Sequence, residues 1–359
     1  MFAAKFLGRP LMWPKLSGRK PIVSSTSSGI ATLIIAGVTN ASFTMPMKYA
    51  RKWAWENTWL AWTVFALVVL PFAAALATIP NLSMVYRSAT PEIILEVCGF
   101  GAGWGVAQVF FGLAVDMIGI TLAFSIVLGT SAAVGSLIPM VSLHRASLNS
   151  TAGYAVLGSI ALILLGVMLC AAAGRMRERP SAQSNSSQKR TSRGLLLAIL
   201  CGLCASLMNF GVAFGTPLVE VARSFGANEL NAINAVWLPL MLAGAVPNLL
   251  YCAWLMKRNH SGDRYRVGRS HWALAAMMAV LWFGSTLLYG LAASQLGTWG
   301  PILGWPLFMS LIVITATMLG MFTGEWKDCG ALPIRIQWTG VTVLVLAIFI
   351  LAGSTRYLR

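Results

Sequence analysis

The chain has 359 residues, 57% of them hydrophobic and only 10% charged, with a formal net charge of +16. A soluble domain carries roughly 25% charged residues, which excludes a water-facing surface of ordinary size and with it a conventional soluble enzyme. The basic surplus does not mark a nucleic-acid binder. It sits in short clusters between apolar runs, where such clusters set membrane topology and meet anionic lipid headgroups.

In chain order, the stretches free of Asp, Glu, Lys and Arg are 21–47, 57–86, 97–115, 117–144, 146–174, 194–219, 230–256, 270–324 and 336–355. A membrane-crossing helix needs roughly 20 apolar residues. The 55-residue run 270–324 therefore holds two crossings, broken at Gln295-Leu-Gly-Thr-Trp-Gly-Pro301. The result is ten spans. All are helices, because an open strand cannot satisfy its backbone in lipid and the short alternation of a barrel is missing.

Four segments follow. Residues 1–28 form a basic N-terminal extension, disordered or not native, without the apolar core of a signal peptide. A start at Val23 would remove most of it. Residues 29–174 hold five spans, 175–193 form a polar basic linker, and 194–355 hold five more. Phe111-Gly-Leu-Ala-Val-Asp-Met-Ile-Gly119 joins spans 3 and 4, and Tyr289-Gly-Leu-Ala-Ala-Ser-Gln-Leu-Gly297 joins spans 8 and 9, 178 residues later. Five is odd, so the second half enters the membrane from the opposite side. The expected fold is an all-α integral membrane protein of ten transmembrane helices in two inverted five-helix repeats, a common transporter plan.

The segments between spans 1 and 2, 5 and 6, 7 and 8, and 9 and 10 carry 16 Lys and Arg, against 10 on the other side, five of those in the N-terminal tail. The positive-inside rule puts the linker in the cytoplasm and both termini outside. The six cysteines show no disulfide framework. Cys201-x-x-Cys204 stands without a second pair and reads as two small residues on a packed helix. No phosphate loop, zinc motif or hydrolase elbow occurs, and His144, His260 and His271 lack metal-ligand spacing. No cofactor, no metal and no catalytic residue is expected.

Lys48-x-x-Arg51-Lys52-Trp53-x-Trp55-Glu56 after span 1 is similar to a segment of the bacterial L-rhamnose–proton symporter family, within the drug/metabolite transporter superfamily. Pro71, Pro80-Asn81, Phe100-Gly-x-x-Trp104-Gly105, Gly112-Leu113, Gly119, Trp305-x-x-x-Met309-Ser310 and Gly324-Glu325-Trp326 continue the resemblance in family order. It covers about residues 29 to 353. It implies ten helices, an inner-membrane location and sugar uptake coupled to protons, with sugar, protons and membrane lipids as partners. The family pattern has no counterpart of the N-terminal extension. Two other readings are a superfamily transporter of another sugar or small metabolite and a membrane-embedded transferase. The transferase would need clustered polar residues near one face, and the ten acids are scattered.

A sugar offers hydroxyls, which suit amides, and a C–H face, which suits aromatic rings. Candidate substrate-binding residues are Asn40 on span 1, Gln108 on span 3, Asn234 on span 7, Tyr289 on span 8 and Trp305 on span 9. Asn248, Trp282 and Ser285 share those faces, and Asn209 holds the position on span 6 that corresponds to Asn40 on span 1. The alternative for each amide is an interhelical hydrogen bond, and for most of the 14 Trp an interfacial belt. Gln108 continues a stripe of Gly101, Gly105 and Gly112, which equally suits close helix packing. An intramembrane carboxylate is costly and so a functional candidate. The proton-coupling candidates are Glu96, inside span 3, and Glu325, at the close of span 9, where the alternative is an ion pair with Lys327 or another base. Asp116 sits at the exit of span 3.

Overall fold

The computed structural model describes residues 26–177, 188–327 and 329–354. Residues 1–25 of the extension and 178–187 of the linker lie outside the described residues. Among those described, the structure is helical with no strand, and ten helices are long and apolar enough to cross a membrane. They are span 1 (Ser27–Met47), span 2 (Trp55–Thr78), span 3 (Pro91–Val115), span 4 (Leu122–Leu143) and span 5 (Thr151–Arg177), then span 6 (Ser192–Ser224), span 7 (Asn234–Asn259), span 8 (Ser270–Gln295), span 9 (Gly297–Phe322) and span 10 (Ala331–Ser354). Large apolar side chains such as Ile35, Leu95, Leu250 and Phe349 face outward, as a bilayer-facing surface requires.

Helix stops fall where the chain has turn chemistry. The long run 270–324 breaks at a short 3-10 turn, Gly297–Trp299, with Gly297 at φ 66°. Gly119 ends the helix of span 3 at φ 81°. The two glycines that close the repeated motif thus do the same work, since a side chain at positive φ is strained. Span 2 widens into a π-helical stretch at Val64–Val69, just before Pro71, whose ring cannot accept a normal α turn in front of it. Span 6 is interrupted at Ser206, so that a separate helix, Leu207–Phe214, carries Asn209 into the bundle. Pro239 and Pro247 lie within span 7 without breaking it.

The most extensive helix pairs are 1 with 8 and 9, 6 with 3 and 4, 2 with 7 and 8, 7 with 3, 4 with 5 and 9, and 10 with 5, while 3 with 4, 6 with 7, 8 with 9 and 9 with 10 touch less. Spans 3 and 7 cross at small residues. A Cβ on Gly105 would lie 2.3 Å from the Gly244 carbonyl oxygen, so any larger residue there drives the helices apart. This contact assigns the Gly101 and Gly105 part of the glycine stripe to packing, with Gly101 against the Leu240 backbone. The segments joining spans 1–2, 7–8 and 9–10 lie at the end of the bundle from which the 175–193 linker leaves. We call this the linker end.

Candidate functional site

Span 8 presents Trp282, Ser285 and Tyr289 inward, at helical spacing, and all three are buried. Two aromatic clusters form around this stripe. Toward the linker end, Trp62 meets Trp282 edge-on at 5.2 Å between ring centroids, and Trp104 stacks on Trp282 at 5.5 Å. Trp59 lies 4.5 Å from Trp62, and Trp55 stacks on Trp59 at 5.3 Å. Asn248 holds this group: its Oδ1 accepts the Trp59 Nε1 hydrogen at 3.2 Å while its Nδ2 donates to the Gly244 carbonyl at 3.0 Å.

Toward the opposite end, Tyr289 stacks on Phe308 at 5.1 Å and meets Trp305 edge-on at 5.3 Å. The Tyr289 hydroxyl donates to Asn209 Oδ1. Asn209 Nδ2 donates to the carbonyls of Gly135 at 2.7 Å and Pro301 at 2.9 Å. Trp305 Nε1 donates to the Ser131 carbonyl at 3.0 Å. Its indole lies over Gly135, where a Cβ would sit 2.5 Å from the ring. Between the clusters, Asn40 Nδ2 donates to Ser285 Oγ at 2.8 Å, and Ser285 Oγ donates to the Trp282 carbonyl at 2.6 Å.

The five expected substrate residues do not form one contiguous group. Tyr289 and Trp305 come together, and Asn40 reaches the same stripe one turn away. Asn234 lies near the other mouth of span 7, donating to Thr78 Oγ1 at 2.9 Å. Gln108 is half-buried, one helical turn past Trp104, and bonds to no described residue. Glu96 is half-buried in span 3, with no ion pair among the described residues. Glu325 is exposed and pairs with Arg177 at 2.9 Å, so its base is Arg177, which also covers the Trp326 ring at 5.1 Å. The Asp116 side chain lies outside what the structure describes.

The family model for the L-rhamnose-proton symport protein (RhaT) matches residues 23–355. The chain belongs to that family. Relatives named L-rhamnose-proton symporter are 26% identical in Mannheimia succiniciproducens, over 89% of this chain and 95% of the relative, and 26% identical in Klebsiella pneumoniae over the same shares. One from Cronobacter sakazakii is 27% identical over 90% of this chain and 96% of its own length. A solved structure titled "Crystal structure of protein" superposes with a TM-score of 0.52 at 16% identity, covering 90% of this chain and 99% of that one, which shows the fold alone.

The segment that first suggested the family has a plain structural job. Glu56, buried at the first turn of span 2, accepts hydrogen bonds from Ser261 Oγ at 2.7 Å and Asn259 Nδ2 at 3.0 Å. Asn57 Nδ2 donates to the Ser261 carbonyl at 3.0 Å, and the Tyr265 hydroxyl donates to the Asn57 carbonyl at 2.9 Å. Trp53 Nε1 donates to the Val267 carbonyl at 3.0 Å, and its ring packs edge-on to Tyr265 and Trp272. Burial pushes the Tyr265 hydroxyl up to about 12, so it stays a neutral donor. Together these contacts latch the 260–269 segment onto the start of span 2 and close the linker end. In the sequence Glu56 stands out only as part of the segment that resembles the family. Trp62 carries a periodic signal of its own, since Trp55, Trp59 and Trp62 recur at the i, i+4, i+7 spacing of one helical face.

Proposed function

We propose that this chain is a secondary transporter that takes up L-rhamnose together with a proton across the bacterial inner membrane. The observation that carries this reading is the family match over residues 23–355, which spans all ten helices. The aromatic and amide stripe of span 8 supports it, because stacked rings suit a sugar's C–H face and amides suit its hydroxyls.

The two five-span halves are inverted repeats. Exchanging each span with the one five places on carries extensive pairs onto one another: 1–8 onto 6–3, 1–9 onto 6–4 and 2–8 onto 7–3, with 4–5 carried onto the slighter 9–10 contact. Pairs 2–7, 4–9 and 5–10 map onto themselves. Sugar binds where the halves meet, along the span 8 stripe that brings Asn40, Tyr289 and Trp305 together, with Gln108 and Asn234 on the approaches from span 3 and span 7. The linker end faces the cytoplasm, in keeping with its 16 Lys and Arg. Of the two acids, Glu96 is the stronger proton carrier. It is half-buried and unpaired among the described residues, whereas Arg177 already neutralises Glu325.

The test is uptake of labelled L-rhamnose by a transport-null strain expressing the chain, with external pH followed in a weakly buffered suspension. The expected result is accumulation with alkalinisation, abolished by a protonophore. In Glu96→Gln, sugar exchange persists and the pH signal disappears. Uptake without any pH change in wild type would reject proton coupling, and no uptake of L-rhamnose would reject the substrate.

A further inference from the structure

Four buried polar side-chain atoms find no hydrogen-bond partner among the described residues: Trp62 Nε1, Trp237 Nε1, Asn234 Oδ1 and Arg223 Nε. Arg223 already pairs through its other nitrogens with Glu220 and Glu229 near the end of span 6. The remaining three lie on spans 2 and 7, which correspond to each other in the two halves. Trp62 and Trp237 are both fully buried, at 1% and 0% exposure. An unpaired buried donor lowers stability, and phenylalanine would fill most of the same space without the N–H.

Both indoles address span 8. Trp62 meets Trp282 at 5.2 Å, and Trp237 meets Tyr289 at 6.5 Å. A Cβ on Gly290 would lie 2.7 Å from Trp237 Nε1, so that glycine lets the N–H edge of the indole come against span 8. Trp282 and Tyr289 are seven residues apart on one helix, or about 10 Å along its axis. A pyranose ring with a hydrogen bond at each end has a comparable length. Asn40 and Ser285, bonded to each other, lie at the height between.

We propose that the indole N–H groups of Trp62 and Trp237 hold opposite ends of one neutral sugar ring, seated at the height of Asn40 and Ser285. Asn234 Oδ1, one helical turn from Trp237, accepts a hydrogen bond from the same hydroxyl that Trp237 donates to. This rests on the sugar-transport reading above and adds the polar anchors of its site. A hydroxyl donates and accepts at once, and Trp237 with Asn234 offers the matching donor and acceptor. At the Trp62 end the rings of Trp104 and Trp282 offer C–H contact, which suits a methyl-bearing ring face. Among the described residues no Lys or Arg is buried, so the anchors suit an uncharged solute and not a sugar acid or sugar phosphate.

The experiment is equilibrium binding of L-rhamnose and its monodeoxy analogues to the purified full-length chain, in wild type, Trp62→Phe and Trp237→Phe. Each variant is expected to weaken L-rhamnose about five- to 150-fold, the effect of leaving a buried hydrogen-bonding group unpaired. For each variant, one particular deoxy analogue binds wild type and variant equally, because its missing hydroxyl is the one that the indole served. Unchanged L-rhamnose affinity in either variant overturns the proposal, and so does an equal loss for every analogue, the mark of a merely structural role. If a variant does not fold, the wild-type analogue series decides: equal affinity for all overturns it. If wild type does not bind L-rhamnose, the substrate reading fails first. The same comparison then uses whichever neutral sugar binds wild type, and wild type that binds none overturns both.

Discussion

The two clusters on span 8 are built differently. Around Tyr289 the side chains are tied by hydrogen bonds into four spans: Asn209 alone reaches the Gly135 and Pro301 carbonyls and the Tyr289 hydroxyl, and Trp305 reaches Ser131. Around Trp282 the side-chain contacts are mainly ring on ring, and Asn248 is the polar anchor, accepting from Trp59 and donating to the Gly105 and Gly244 carbonyls. Directional bonds fix a geometry, whereas stacked faces tolerate sliding. Spans 4, 6, 8 and 9 therefore form the fixed frame near Tyr289. The ring cluster on spans 2 and 3 has fewer directional side-chain bonds, and the Glu56 latch closes the linker end beside it.

The largest effect should follow from cutting the frame. Asn209→Ala leaves the Tyr289 hydroxyl and the Gly135 carbonyl, whose i+4 residue Pro139 has no N–H, without partners, at about 1–3 kcal/mol each when unsatisfied. We expect a loss of about 3 kcal/mol or more in thermal unfolding of the purified protein. The matching cut on the other side, Asn248→Ala, should cost less for the ring cluster, because only the Trp59 indole depends on it from outside span 3–7 packing. Equal losses in the two variants would erase the distinction between a bonded frame and a sliding cluster.

The frame was only half legible in the sequence. Charge spacing marks the spans, and Gly297 with Pro301 marks the break between 8 and 9, because lipid imposes length and polarity rules on each crossing separately. Periodicity also brings out Asn209 and Tyr289 as inward-facing. It cannot show that they meet, since 80 residues separate them and their contact depends on the break at Ser206. Gln108 and Asn234 illustrate the same limit from the other side: each faces inward on its own helix, yet neither joins the Tyr289 group. Glu56 was hidden for another reason. A carboxylate at the edge of an apolar run looks like a headgroup-level charge, and only the fold of the 260–269 segment brings Ser261 and Asn259 over it.

The next effect in size tests the latch beside the ring cluster. Glu56→Ala leaves the Ser261 hydroxyl and the Asn259 amide without their shared acceptor, a loss of about 1–3 kcal/mol concentrated at the linker end. Cys252, fully buried on span 7, reports on that end. Maleimide labelling of Cys252 should rise in Glu56→Ala, measured against a Cys252→Ser control, and Glu56→Asp should give a smaller rise. Labelling unchanged from wild type would mean that the latch does not hold the linker end shut.

A smaller effect belongs to the frame side and depends on pH. His144, half-buried between spans 4 and 5, lies with Nε2 3.3 Å from the Thr298 carbonyl and its ring 4.3 Å from that of Trp299. Burial holds its pKa below the usual histidine value, against a smaller opposing pull from the Thr298 carbonyl. The unfolded chain then binds the proton more readily than the folded one, so stability rises with pH across this window. It is fully present above about pH 6.5 and declines as pH falls below that toward the depressed folded value. His144→Gln should flatten this part of the stability profile. A wild-type profile that is already flat from pH 7.5 to the acid side would remove His144 from the frame's account.

The smallest effect is expected at Glu325. Its bond to Arg177 joins the ends of spans 5 and 9, but the two side chains are 40% and 24% exposed. Water screens such a pair, and holding two long side chains in register opposes the attraction, so exposed pairs contribute about 0–1 kcal/mol. Glu325→Gln should change thermal stability by no more than that and leave the sugar-induced pH signal in place. Arg177→Ala additionally strips the guanidinium from the Trp326 ring and should cost slightly more. The comparison with Glu96→Gln is then sharp, because the two variants remove one carboxylate each and differ in burial and pairing. If Glu325→Gln abolished the pH signal while Glu96→Gln kept it, the proton would be carried at the exposed linker end. The half-buried acid of span 3 would then be a headgroup-level charge.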